Sequence, residues 1–261
     1  MNSEKYTLER VLSVQPWTPN LVSFRLTRPA GYRFTAGQFA RLGLPKIVDE
    51  SDLPQIVWRA YSIASASQAD HLEFCSVILP SGEFTTELVR LAPGDSMYVD
   101  RASFGFLTTA GFAPGLDLWM IATGTGLAPF LSILQESAIW QDYENLVVVH
   151  SVRQAGELAY RETLEAMCKT PPFGASRARL HYVPIVTRST EPLYLHERIP
   201  ELFASGRLEA AAMLQLQLER SRVLLCGNPA MVSEMRTLLG AQGYATSRRQ
   251  KPGTLCVENY W

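Results

Sequence analysis

Arg59-Ala60-Tyr61-Ser62 places a planar, permanently charged guanidinium and a tyrosine ring on one face of an alternating segment, because side chains two apart on a strand share a face. The pair suits a ligand that carries an anionic group beside a flat aromatic system. The guanidinium forks onto a phosphate and the ring offers its π-face. Ser62 takes the other face or joins the strand's own hydrogen bonding, and offers a short hydrogen bond. Further on, Gly82-Glu83-Phe84-Thr85-Thr86 reads as a glycine turn opening a helix. Free amides and a positive dipole end at such a turn suit a pyrophosphate, with Thr85 capping the helix or reaching the phosphate.

Two later stretches repeat one logic. Trp119-Met120-Ile121-Ala122 runs into Thr123-Gly124-Thr125-Gly126 and then Leu127-Ala128-Pro129; Leu224-Leu225-Cys226 runs into Gly227-Asn228-Pro229. In both, an apolar strand ends in glycine, which permits a sharp turn and close backbone approach to a ligand. Proline then opens a helix where a missing N–H costs nothing, and Asn228 is placed to cap. The third glycine of the commonest dinucleotide fingerprint is absent from the first turn. Arg153, Arg188 and Arg198 follow expected strands of the same region, at the strand ends where ligands of parallel sheets sit, and together would favour a dinucleotide with a 2′-phosphate. Taken singly, each of these residues also has an ordinary structural role: a solvated arginine, a half-buried tyrosine, a cysteine inside a strand.

The elements that must position these residues fall into two halves. Tyr6–Val14, Leu21–Leu26, Gln38–Leu42, Val57–Ser65, Leu72–Leu79 and Ser96–Asp100 read as short strands separated by turn residues, which predicts an antiparallel six-stranded β-barrel. One helix interrupts it, with Phe84, Leu88 and Leu91 on its buried stripe. Lys46 to Gln55 reads as an exposed loop. After the turn-rich junction Gly111–Gly115, apolar strands Leu116–Ala122, Leu146–Ser151, Leu180–Val186 and Val223–Cys226 alternate with helices over 128–137, 157–168 and 230–239. That rhythm predicts a parallel sheet covered on both faces, an α/β domain. The expected division is 1–112 and 113–261.

Bulk composition narrows the function. A net charge of −1 gives no case for nucleic acid. No apolar run is long enough to span a bilayer, and the start shows no apolar signal core, so a soluble cytoplasmic protein without membrane attachment is expected. Cys75, Cys168, Cys226 and Cys256 lie far apart, a spacing that supplies ligands for neither zinc nor an iron–sulfur cluster, so no metal is expected. Any such cluster must sit on a partner.

Arg-x-Tyr-Ser, the Gly-Thr-Gly-x-Ala-Pro turn, Cys-Gly-Asn-Pro and the closing Tyr260-Trp261, in this order, resemble the bacterial ferredoxin (flavodoxin)–NADP reductases over nearly the full length. The resemblance implies FAD held by Arg59, Ala60, Tyr61, Ser62, Cys75, Glu83, Phe84, Thr85 and Thr125. Tyr260 would cover the isoalloxazine face opposite Tyr61, and Trp261 would stack on the adenine. It implies NADP(H) held by Gly124, Gly126, Val152, Arg153, Thr187, Arg188, Arg198, Cys226, Gly227 and Asn228. Ser62, Cys226, Glu234 and Tyr260 would be catalytic: Ser62 at flavin N5, Cys226 and Glu234 positioning the nicotinamide, Tyr260 yielding its place to it.

The implied activity is that of a flavoprotein oxidoreductase. Hydride passes between NADPH and FAD, and single electrons pass between FAD and a ferredoxin or flavodoxin. That partner would be held near Arg248, Arg249 and Lys251, and the chain is expected to be a monomer. The alternatives are an NADPH-dependent free-flavin or ferric reductase, and a non-catalytic electron-transfer subunit of a larger complex. Deleting Tyr260-Trp261 is expected to weaken FAD binding and change nicotinamide access; unaltered flavin affinity and kinetics in the truncated chain would contradict that role.

Overall fold

A computed structural model of the chain describes residues 5–46, 55–248 and 251–259. Tyr260, Trp261, Arg249 and most of the Lys46–Gln55 loop lie outside the described residues. Strands β1 (Tyr6–Thr18), β2 (Leu21–Thr27), β3 (Phe39–Lys46), β4 (Gln55–Ser62), β5 (His71–Val77) and β6 (Ser96–Phe104) form one antiparallel sheet in the order β4-β3-β6-β1-β2-β5. Helix α1 (Glu83–Leu88) lies between β5 and β6. β1 is longer than its alternating segment predicts. Register shifts between Val11 and Ser13 and between Pro16 and Thr18 bend it, so its first part pairs with β6 and the rest with β2.

The sheet closes into a barrel at one place. Just past β4, Ile63 bridges Phe74 of β5, and Ala64 N donates to Glu73 O at 2.7 Å. Before that bridge β4 and β5 are not paired, leaving a gap in the wall. Ile63, Phe74, Phe24, Leu26, Leu42, Leu72 and Met97 are fully buried inside.

Strands β7 (Asp117–Thr123), β8 (Asn145–Val152), β9 (Arg179–Val186), β10 (Ser221–Gly227) and β11 (Leu255–Asn259) form a parallel sheet ordered β11-β10-β7-β8-β9. Alternation along β7 sorts the two faces. Leu118, Met120 and Ala122 join the core under α2 (Ala128–Leu134), α3 (Ser137–Asp142) and α4 (Arg161–Lys169). Trp119 and Ile121 join the opposite core under α5 (Ile199–Ala204), α6 (Arg207–Ala212) and α7 (Pro229–Ala241). The first core continues into the barrel through Leu21, Ala36, Ala64, Cys75 and Leu107. Polar contacts lock the same seam: Ser132 Oγ donates to Ser65 O at 2.7 Å, Gln135 Nε2 to Ala64 O at 2.8 Å, and Ser67 N to Glu136 Oε1 at 2.9 Å.

The barrel-plus-parallel-sheet expectation holds, with four local differences. The first helix stops at Leu88 rather than reaching Leu91. The helix expected over 128–137 breaks into α2 and α3, because Gln135 and Glu136 turn to bond the barrel. The helix expected from Glu157 begins at Arg161, after Tyr160 takes a left-handed backbone (φ 60°). Leu255–Asn259 form a fifth parallel strand, β11, beside the four expected.

Phe74 is fully buried where the barrel closes. Phe74→Ala is expected to cost about 3–5 kcal/mol of stability in urea unfolding; a loss well under that range would mean the closure carries little of the barrel's cohesion.

Candidate functional site

The sheet order reverses between β7 and β10, and the ends of those two strands are where the glycine turns lie. They meet without room for side chains. A Cβ on Gly126 would lie 2.5 Å from Cys226 O, and one on Gly227 (φ 127°) would lie 2.7 Å from Thr123 O. Asn228 N donates to Thr123 Oγ1 at 2.8 Å, and the Asn228 side chain accepts from Ala230 N and Met231 N, capping α7 as its sequence predicts. Gly124 has φ 55° and open space where a Cβ would stand, so its backbone is bare to the crevice.

Two cavities adjoin at this point. The first, about 510 Å³, fills the gap between β4 and β5; Arg59, Ala60, Tyr61, Ser62, Cys75, Glu83, Phe84, Thr85 and Thr125 line it, with Phe39, Ser76, Val77, Leu79 and Glu258. The second, about 440 Å³, opens over the strand ends and is lined by Gly124, Thr125, Val152, Arg153, Thr187, Arg198, Gly227 and Asn228, with Asn20, Leu21, Ser151 and Glu157. Val77, Leu79 and Thr125 belong to both walls.

Within the first cavity, the Tyr61 ring lies 5.3 Å from Phe84, and its hydroxyl is 3.1 Å from Ser76 Oγ, spanning the unpaired strands. Burial raises the Tyr61 pKa, so the phenol stays protonated. Arg59 is half exposed and stands 3.8 Å from Glu83, which Lys46 holds more closely at 2.7 Å. These are solvent-screened pairs that a phosphate would displace. Thr85 differs from expectation: the helix has no side-chain cap, and Thr85 Oγ1 donates to Leu79 O at 2.9 Å and accepts from Leu79 N at 3.1 Å, pinning the turn before α1.

The donor set and shape fit a flavin dinucleotide. A gap in a barrel wall accepts a flat ring beside Tyr61, cations stand at one end, and Ser62 stands in the wall.

Not every expected residue reaches a cavity. Cys226 is fully buried behind Gly126 and lines neither. Glu234 lies outside both linings and pairs with Arg198 at 2.7 Å. Arg188 also lies outside; its exposed side chain follows a backbone N that donates to Arg153 O at 2.9 Å.

Two titratable residues escape the sequence. Glu258 stands beside Cys226 in the β10–β11 register and accepts from Ser62 Oγ at 3.3 Å. Burial pushes its carboxyl up to about 7, against which the Ser62 hydrogen bond is the smaller effect. Its burial depends on β11 being a strand, which no sequence pattern marks. His150, buried on β8, lies with Nε2 3.1 Å from Gly124 O. Burial lowers its pKa to about 4, so the ring is neutral, and because the carbonyl only accepts, Nε2 carries the proton and fixes the turn.

Comparison with known proteins agrees with this geometry. The chain is 39% identical over 255 residues to the ferredoxin–NADP reductase of Azotobacter vinelandii, covering 96% of each protein. The chain belongs to the ferredoxin–NADP reductase family. It is 37% identical over 253 residues to the flavodoxin/ferredoxin–NADP reductase of Escherichia coli K12, covering 97% of each. Residues 120–237 match the family model described as the oxidoreductase NAD-binding domain. A crystal structure of a ferredoxin NADP+ reductase from Neisseria gonorrhoeae with bound FAD and NADP superposes with a TM-score of 0.89 at 37% identity, covering 98% of this chain and 99% of that one.

Glu258 makes stability pH-dependent. A carboxyl raised from 4.5 in the unfolded chain to about 7 in the folded one keeps its proton longer when folded, so it disfavours the folded state progressively as pH climbs from about 4.5 to about 7. In flavin-free protein, Glu258→Gln is expected to gain stability over the parent on going from about pH 5 to about pH 8, read by urea unfolding. A parent-to-variant difference that is flat across that window would contradict the raised carboxyl.

Proposed function

We propose that this chain is an FAD-dependent oxidoreductase that moves electrons between NADPH and a ferredoxin or flavodoxin, with residues 1–112 as its FAD barrel and 113–261 as its NADP domain. The observation that carries the reading is the shared wall: two nucleotide-sized cavities meet at Val77, Leu79 and Thr125, one over a barrel gap and one over a topological switch point. FAD, when bound, supplies the exchange between a two-electron donor and one-electron acceptors.

The chain's own residues bind, orient and handle the proton. Arg59 takes the flavin's phosphate and Tyr61 faces its ring, the orientation that a barrel gap bridged by the Tyr61 hydroxyl supports. Gly124 leaves space for the pyridine dinucleotide, and His150 holds that turn. Arg153, Thr187 and Arg198 read the 2′-phosphate. Among the described residues no carboxylate pairs with the Arg153 guanidinium, whereas Arg198 is held by Glu234. A carboxyl titrating near neutrality, one hydrogen bond from Ser62, can hold a proton and deliver it by relay, the Ser62 hydroxyl releasing its own proton into the cavity as it takes the carboxyl's.

The partner half of the reading rests on charge. Residues 31–46, 101–116 and 245–257 contain Arg33, Arg41, Lys46, Arg101, Arg248, Arg249 and Lys251 and no Asp or Glu, in a chain whose net charge is −1; of these, Lys46 pairs with Glu83 and Arg41 stands 3.9 Å from Asp100. The described parts of these segments come together beside the first cavity. Ser103 Oγ donates to Arg33 O at 3.2 Å, Cys256 Sγ to Phe106 O at 3.1 Å, and Phe112 bridges Gly253. Phe106 stands among them 81% exposed, while its neighbour Leu107 is buried and a Cβ on Gly105 would lie 2.9 Å from Glu258. An aromatic held rigidly in a basic field beside the redox cavity supports docking of an acidic electron carrier.

Two measurements test the reading. Arg153→Ala and Arg198→Ala are each expected to raise KM for NADPH by roughly 10- to 100-fold, the loss of one charged hydrogen bond, while NADH kinetics barely move. Equal effects on both donors would remove the 2′-phosphate role. Acceptors are then compared: NADPH-driven reduction of an acidic ferredoxin or flavodoxin should exceed that of free flavin or ferric chelates. Phe106→Ser should raise KM for the protein acceptor about tenfold and leave ferricyanide reduction unchanged. Preference for free flavin or ferric iron would favour the alternative reductase.

A further inference from the structure

Arg222, the second residue of β10, is 4% exposed, and no carboxylate among the described residues lies within salt-bridge distance of it. Backbone carbonyls satisfy its guanidinium instead. Nε donates to Ala113 O at 2.8 Å and Nη2 to Pro114 O, both in the segment joining barrel to parallel sheet. The remaining donors reach Leu218 O at 3.0 Å, Ser221 O at 2.7 Å and Glu219 O at 3.4 Å, at the start of its own strand. A rigid fork of five N–H donors suits this arrangement, and a lysine ammonium with three would leave carbonyls unmet.

The joining segment is tied on every side. Ala113 N donates to Gly253 O at 3.0 Å and Leu116 N to Arg220 O at 2.8 Å. Gly115 has no space for a side chain: its Cβ would lie 2.8 Å from Arg222 Cγ and Nε and 2.8 Å from Arg220 O. A Pro-Gly junction between domains is ordinarily a hinge, and here it is clamped.

The clamp's position gives it consequence. Arg222 lies opposite Leu118 near the start of β10 and β7, whereas Gly227 ends β10 at the switch point. The strand between them spans roughly 17 Å at about 3.3 Å per residue. The barrel is also held by a separate set of contacts, through Ser132, Gln135 and Glu136 at the end of the helix that runs back from the glycine turn. One attachment would let the barrel pivot, and a second, separate attachment removes the pivot.

We propose that Arg222 is a positioning residue: by clasping Ala113 and Pro114 it fixes the angle between barrel and parallel sheet, and so the approach of the two cavities at Thr125. The kinetic arm of this inference rests on the two-nucleotide reading above; its exchange arm does not.

Arg222→Lys and, independently, Gly115→Ala test it. The alanine methyl would crowd the guanidinium off the linker while leaving the arginine in the chain; because it also meets Arg220 O, which accepts from Leu116 N and Asp117 N, those two amides are left out of the reading. Amide hydrogen exchange on the nucleotide-free protein should show protection at Ala113 falling about tenfold or more in each variant, with β8 amides unmoved. Stopped-flow reduction by saturating NADPH should show the limiting rate of flavin bleaching falling about tenfold, since misplacement by a fraction of an ångström suffices. FAD and NADP+ dissociation constants should stay within about twofold of the parent, and the double variant should be no worse than the poorer single one.

Unchanged linker exchange and an unchanged limiting rate would overturn the proposal. Loss of rate together with nucleotide affinity would also overturn it, marking Arg222 as general support. If Arg222→Lys unfolds the chain, Gly115→Ala decides alone by the same pair of readouts. A parent protein that binds no flavin would instead refute the two-nucleotide reading and leave the exchange result standing.

Discussion

Where the ends of β7 and β10 cross, backbone lies against backbone with no room for a side chain between them. A methyl on Gly126 would collide with Cys226 O, and one on Gly227 with Thr123. Everything else in the site depends on that contact. It bares the Gly124 turn, sets the start of α2 and α7, and brings Thr125 to the wall that both cavities share. Because α2 then carries Ser132 and Gln135 to the barrel, the same contact decides where the barrel sits.

The barrel contributes by what it leaves open. Closure at Ile63–Phe74 holds the cylinder together, and the unpaired stretch before it makes a slot whose rim carries Arg59 and whose inner wall carries Tyr61 and Ser62. A ligand in that slot touches backbone that a complete barrel would have used for its own hydrogen bonds. Glu258, from the last parallel strand, closes the slot from the other side. The site is therefore a property of the junction, with walls from both sheets, and rigidity between them is part of its chemistry.

The sequence displays those parts of the site whose residue type is demanded locally. Glycine is required where strand ends approach, proline and asparagine where helices begin, and strand alternation puts Arg59 and Tyr61 together on the wall of the first cavity. All of these were readable and stand where the pattern placed them. Glu258, His150, Asn20, Val77 and Leu79 were not readable, because nothing near them in sequence distinguishes a cavity wall from an ordinary surface or core position. Their roles arise when β11 pairs with β10 and when the β1–β2 turn meets the parallel sheet. The converse also occurs: Cys226 and Glu234 fit the pattern by position, yet one is sealed behind Gly126 and the other faces Arg198. The short strand Leu255–Asn259 escaped for the same reason, since five residues with a polar end carry too weak a period to register.

Adjoining cavities are expected to hold a flavin and a phosphorylated pyridine dinucleotide close enough for direct reduction. An anaerobic titration of the purified protein, followed by flavin absorbance with NADPH and NADH in parallel, decides whether they do. The expected result is a yellow protein bleached promptly by NADPH and sluggishly by NADH. A colourless protein that takes up no FAD, or a bound flavin that NADPH leaves oxidised, would contradict it.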